Sequence, residues 1–114
     1  EHGHLALRDV VTRALEGDRE LAAAIADVGR ALGRHLATAC TILDPDVVVV
    51  GGELARAGAL LLDPLQEALT ATAFHGIAGP VPVQEAVLGD LAEVRGAVAL
   101  AVEATRVVVP AVTP

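Results

Sequence analysis

Aromatic side chains are almost missing from this chain. Phe74 is the single one among 114 residues, and Trp, Tyr and Met do not occur. This argues against an aromatic ligand cage or a base-stacking nucleic-acid platform, and it leaves the core to Leu, Val, Ile and Ala. Cysteine is as scarce. Cys40 stands alone, so no intrachain disulfide can form and a thiolate zinc site is not expected. It lies in the apolar run Leu36–Leu43 and reads as a small buried hydrophobe rather than a nucleophile. Positive charge is also short. Eight basic residues face fifteen acidic ones, for a net charge of −7. Such a chain repels a phosphate backbone, and no basic cluster offsets the deficit. Any contact with DNA would have to come from another segment. No apolar stretch reaches membrane-spanning length and no signal peptide opens the chain. No membrane partner is expected, and a reducing cytoplasm is the expected compartment.

What is abundant is aliphatic surface, with 54% of residues hydrophobic. The length allows one domain or one lobe of a larger one. The most informative stretch is Val47-Val48-Val49-Val50-Gly51-Gly52-Glu53. Four consecutive β-branched residues read as a strand buried on both faces, as in parallel sheets. Two glycines end it and a helix-forming segment follows. In open α/β sheets ligands gather just beyond the carboxyl ends of strands, where a glycine turn lets the backbone come close.

Periodicity divides the rest. Leu5, Leu7, Val10, Val11, Ala14 and Leu15 predict a short helix over residues 5–16, ended by Gly17. Asp18 caps a long helix over about 19–43. Leu21, Ile25, Val28, Leu32, Leu36 and Leu43 give that helix an apolar stripe. A parallel stripe of small residues, Ala22, Ala26, Gly29, Gly33 and Ala37, predicts that another backbone packs very close to it. Asp44-Pro45-Asp46 stops the helix. After the valine strand, residues 54–73 read as helical. Gly58 and Asp63-Pro64 are expected to split them into a short turn and a main helix, with Asp63 as cap and Pro64 in the first helical position. Leu61, Leu65, Ala68, Leu69 and Thr72 form its inner side. Residues 74–82 read as a loop. Alternation from Val81 to Val87 predicts a second, shorter strand whose start Pro82 forces to an edge or a bulge. A last helix over about 91–106 follows Leu88-Gly89-Asp90, and residues 107–114 form a tail without a clear pattern. The order is α-α-β-α-β-α. Two strands cannot form an independent sheet, and the helices carry more apolar surface than two strands cover. Both point to a fragment, a tight oligomer, or both.

Four ordered blocks carry a family resemblance: Ala31-Leu32-Gly33-Arg34-His35-Leu36-Ala37; Leu43-Asp44-Pro45-Asp46 with the valine strand and Gly51-Gly52; the leucine-rich Gly58–Leu65; and Leu88-Gly89-Asp90 through Ala101. Over about residues 17–105 this resembles the C-terminal part of the ROK family, bacterial transcriptional repressors and sugar kinases. The resemblance implies an α/β, helix-rich C-terminal lobe fragment of an actin-like ATPase (ribonuclease H-like) fold. Residues 1–18 would be an N-terminal loop and short helix, 19–106 the C-terminal part of the lobe, and 107–114 a tail. It also implies that Gly51, Gly52 and Glu53 match the residues lining the adenine-nucleotide site of the kinases.

The opening Glu1-His2-Gly3-His4 superficially resembles the family's Glu-x-Gly-His signature. That alignment is rejected, because about a dozen residues separate His4 from Gly17-Asp18 and the zinc cysteines are missing. His35 and His75 have no partner at metal-ligand spacing. No metal site and no catalytic residue are expected in this segment. Asp44, Asp46 and Asp90 read as caps and turn formers rather than as a kinase base.

Three functions are carried forward. The first is the effector segment of a ROK-type transcriptional regulator that responds to a sugar or sugar derivative. It would have no catalysis and no cofactor of its own, and would reach DNA through an absent N-terminal domain. The second is the same part of a ROK sugar kinase, with Gly51 and Gly52 contacting ATP. The third is an assembly lobe whose small-residue helix faces make a homodimer.

Overall fold

The structure is a computed structural model that describes residues 5–73 and 79–106. Four helices and two short strands follow one another: α1 (Leu7–Leu15), α2 (Arg19–Leu43), β1 (Val48–Val50), α3 (Ala59–Thr72), β2 (Val83–Glu85) and α4 (Ala92–Ala104). Short 3-10 segments, Glu53–Ala57 and Gly89–Leu91, precede α3 and α4. The expected order therefore holds. The expected metal-free reading of His75 and of the opening Glu1-His2-Gly3-His4, and the tail 107–114, lie outside the described residues.

Local chemistry sets the ends of α2. The Asp18 carboxylate accepts a hydrogen bond from the Leu21 amide at 3.2 Å, satisfying one free donor of the first turn. It also pairs with Arg13 of α1 at 3.4 Å, which ties the corner between the two helices. At the other end Asp44 takes a left-handed conformation, φ 47°, and its amide donates to the Cys40 carbonyl. Asp tolerates that geometry better than most residues, and Pro45 prevents the helix from resuming.

The buried face of α2 is the small-residue stripe. Gly29, Gly33 and Ala37 are buried, together with Cys40 and with Ile25 of the large apolar stripe, whereas Val28 and Leu43 of that large stripe are exposed. The reason is α3, which lies directly on the glycines. A Cβ on Gly29 would stand 2.5 Å from the Leu61 carbonyl oxygen. The small residues trade side-chain volume for backbone proximity, and Leu61, Leu65 and Leu69 of α3 fill the space around them at 0–1% exposure. This face is taken up within the chain by α3. The buried Cys40 thiol packs with Ala37 and Leu69, as expected for a small hydrophobe.

The start of α3 differs from expectation. The helix begins at Ala59, with the Gly58 carbonyl accepting from the Leu61 and Leu62 amides. Gly58 is thus the break, and Pro64 sits inside the helix. An interior proline costs about 3 kcal/mol. Burying Leu61, which lies before the proline, is worth about 1.5–3 kcal/mol, and the partly buried Leu60 and Leu62 add to it. Packing of the first turn offsets the local penalty.

The strands pair in parallel, with Val48 opposite Val83 and Val50 opposite Glu85. One face of this pair is covered by α2 and α3: Val48 and Val83 pack on the cluster of Ala37, Cys40 and Leu69, and Val50 packs on that of Val11, Ile25, Ala57 and Leu61. The other face is bare. Val49 is 58% exposed, so within these residues the valine strand is not buried on both sides. α1 is likewise only half covered. Val11 and Ala14 are buried, while Leu5, Leu7 and Leu15 are exposed. α4 has no buried residue. The Cα radius of gyration is 19.5 Å, against about 13 Å for a compact domain of this size.

Candidate functional site

The two parallel strands end side by side, and each ends in a glycine turn. After β1 come Gly51 and Gly52; after β2 comes Gly89. Gly52 has φ 95° and ψ −178°, a conformation open essentially to glycine alone. Gly89 has φ 64°. A Cβ on Gly51 would meet the Ala86 methyl at 3.4 Å, an ordinary van der Waals contact, so crowding does not require the first glycine. The Ala86 amide donates to the Val50 carbonyl at 2.9 Å and holds the two strand ends together.

Between the turns lies a cavity of about 260 Å³, walled by Gly52, Glu53, Gly89, Ala92 and Glu93. A narrower extension runs along Val50, Gly51, Ala55, Arg56 and Glu85. This is where ligands bind in open α/β sheets, because strand ends and helix starts converge there. α4 opens onto the cavity with no side-chain cap but with its first amide, Ala92, donating to the Gly89 carbonyl of the preceding 3-10 turn, so only the helix dipole gives this edge a partly positive character. Two carboxylates oppose that edge. Glu93 lines the cavity. Glu53 lines it too, with its carboxylate 3.0 Å from Arg56 and 3.6 Å from Arg8 of α1. Of the predicted residues, Gly52 and Glu53 line the cavity, and Gly51 lies along the narrower space beside it.

Sequence reasoning did not single out Gly89, Glu93, Arg8 or Arg56 for this place. Gly89 carried a usable signal, since strand, glycine and helix follow one another there as they do at Gly51-Gly52. Arg8 carried none, because its approach depends on how α1 packs. Of the other candidates, His35 is exposed. Among the described residues no group of three His, Cys, Asp or Glu could hold a metal ion, and no helix is long and apolar enough to cross a membrane.

A family model described as ROK family matches residues 1–104. This match begins earlier than residue 17, where the resemblance in the sequence blocks starts. Over 96 residues the chain is 30% identical to a glucokinase of Halalkalibacterium halodurans, covering 84% of this chain and 29% of that protein. Over 93 residues it is 32% identical to a protein of Caldicellulosiruptor sp. named as a xylose repressor, covering 82% of this chain and 23% of that protein. Among solved structures, a ROK family glucokinase from Streptomyces griseus in complex with glucose and AMPPNP aligns with a TM-score of 0.70 at 29% identity, covering 82% of this chain and 30% of that one. A structure from Cytophaga hutchinsonii named as a sugar kinase aligns with a TM-score of 0.72 at 22% identity, over 88% of this chain and 33% of that one, and has the same fold. The chain spans about a third or less of the length of each of these relatives.

Proposed function

The chain belongs to the ROK family, and from that membership we propose that it serves as the sugar-responsive effector segment of a transcriptional regulator, without catalysis of its own. The observation that carries this reading is Glu53. Its carboxylate stands at the end of β1, held by Arg8 and Arg56, on the wall of the strand-end cavity. Glu93 stands on the same wall. Arg8 and Arg56 only balance these two carboxylates, so the wall offers no net positive charge to the phosphates a kinase must hold. In this reading the segment shapes the cleft between the lobes, the sugar binds in the longer protein, and DNA is reached through a domain outside this chain. The relative named as a xylose repressor agrees with it.

A second reading has its own support. Nothing stands within 4 Å of a Cβ position on Gly52 or Gly89, which leaves room beside the main chain at the strand ends, and the similar Streptomyces griseus glucokinase was solved with glucose and AMPPNP. Under this reading the chain is the same part of a sugar kinase, and Gly51, Gly52 and Glu53 contact ATP.

One experiment separates the two. A full-length ROK protein carrying this sequence is assayed for glucose-dependent ADP formation and for sugar-dependent release from the DNA upstream of its own gene. Sugar-dependent release without ADP formation is the expected result. ADP formation with glucose, and no DNA binding, would replace the regulator with the kinase.

A further inference from the structure

The edge of β2 that faces away from β1 is occupied by a side chain. Gln66 of α3 donates from Nε2 to the Val81 carbonyl at 2.9 Å and accepts at Oε1 from the Val83 amide at 2.7 Å. Nε2 also lies 3.1 Å from the Thr70 hydroxyl, one turn on. In a strand, neighbouring residues turn their backbone groups to opposite edges. The Pro82 carbonyl and the Ala86 amide are used toward β1, through Val48 and Val50. The Val81 and Val83 groups therefore point outward, and one carboxamide satisfies both, as an adjoining strand would. Gln66 does for β2 what a third strand does in a larger sheet.

This contact bears on the cavity through a short mechanical path. β2 is only three residues long, so each hydrogen bond is a large share of what holds it. Its far end carries Ala86, which bonds to Val50, and then Gly89 on the cavity wall. We propose that Gln66 is a positioning residue: by pinning β2 from outside, it fixes Gly89 relative to Gly51-Gly52 and so sets the width of the strand-end cleft. Its effect on ligand rests on the reading of that cleft as a binding site; its effect on geometry does not.

The test uses Gln66→Met, which keeps the side-chain length and removes both hydrogen bonds, and Glu67→Met as a control on an exposed position of the same helix. Amide hydrogen exchange in the full chain is read at Val83, Ala86 and Gly89, and AMPPNP affinity is measured in the full-length protein. In Gln66→Met exchange at Val83 speeds up about tenfold, exchange at Ala86 rises several-fold, and the Gly89 resonance moves. Glu67→Met changes none of these. If Val83 opens while Ala86 and Gly89 stay as they were, the clamp is merely local and the inference fails. Where the parent protein binds AMPPNP, Gln66→Met weakens it about fivefold or more. Where the parent binds none, the nucleotide reading falls and the exchange data still decide the role of Gln66. Should Gln66→Met not fold, Gln66→Glu keeps the acceptor for Val83 and loses the donor to Val81, and the same three amides are read in it.

Discussion

Gly33 of α2 lies against the main chain of Leu65 in α3. The space where its Cβ would stand is filled by the Leu65 carbonyl oxygen, with the Ala68 methyl at 2.9 Å and the Leu69 nitrogen at 3.0 Å. One turn earlier Gly29 meets Leu61 and Leu65 in the same way. These are backbone atoms of a packed helix, so they cannot swing aside as a flexible side chain could.

Glycine to alanine inside a helix ordinarily stabilises by up to about 1 kcal/mol. At Gly33 the sign should reverse. Gly33→Ala is expected to destabilise by about 1–3 kcal/mol through overpacking, and Gly33→Leu to abolish folding. Gly96 of α4 has nothing within 4 Å of its Cβ position, and Gly96→Ala should show the ordinary gain. Thermal melts of the two alanine variants side by side check this. A Gly33→Ala variant that melts at or above the parent temperature would show that the helices separate easily.

At the strand ends, glycine is required by dihedral angle rather than by crowding. Nothing stands within 4 Å of a Cβ on Gly52 or Gly89, yet both have positive φ. Gly52→Ala is expected to cost about 1–3 kcal/mol, because its φ and ψ exclude side chains. Gly89→Ala, at φ 64°, should cost about 1–2 kcal/mol. Denaturant titration ranks the two, and a Gly52→Ala variant as stable as the parent would contradict the turn geometry.

That another backbone lies close to α2 was legible in the sequence, because two glycines four residues apart on a long helix have few other uses; that this backbone is α3 was not. The Asp18 cap, the stop at Asp44-Pro45 and the glycine turn after the valines were legible for the same reason: each is local chemistry within a few residues. The start of α3 was not. Asp63-Pro64 is a good local signal for a helix start, but burial of Leu61 against α2 outweighed it, and that contact is made across the chain. The Gln66 clamp was hidden too, since residues 66 and 81–83 meet only once α3 and β2 are in place. The cleft was half visible. Gly51-Gly52 stood out, whereas the ion pairing of Glu53 with Arg8 depends on the docking of α1.

Glu53 offers a charge test of the cleft. A carboxylate at a phosphate-binding wall opposes the ligand by Coulomb repulsion, about 2–3 kcal/mol at 6 Å in an effective dielectric of about 20, less where solvent screens it. Glu53→Gln in the full-length protein should raise ATP affinity by about tenfold at low salt. The gain should shrink as ionic strength rises. Arg8→Ala should move stability by less than about 1 kcal/mol, because the Arg8 side chain is exposed and the contact is long at 3.6 Å. Calorimetric titration with ATP at two salt concentrations gives both signs. An affinity unchanged by Glu53→Gln would place the phosphates away from this wall.

α4 gives the sharpest contrast between this chain and a longer one. Leu91 just before it, and Val94, Val98, Leu100 and Val102 within it, are all more than half exposed, on a helix whose charged residues are only Glu93, Arg95 and Glu103. A helix apolar on most sides is stable in water only when covered. In the isolated 114-residue chain, Val98→Lys should leave the melting temperature unchanged, reduce self-association by light scattering and lower binding of the dye ANS. In a full-length ROK protein the same substitution should cost about 1.5–3 kcal/mol, the value of burying one valine. Leu65→Ala should cost about 2–5 kcal/mol in both settings, because its partners lie within the chain. A Val98→Lys variant as stable as the parent in the full-length protein would mean that α4 stays exposed there as well.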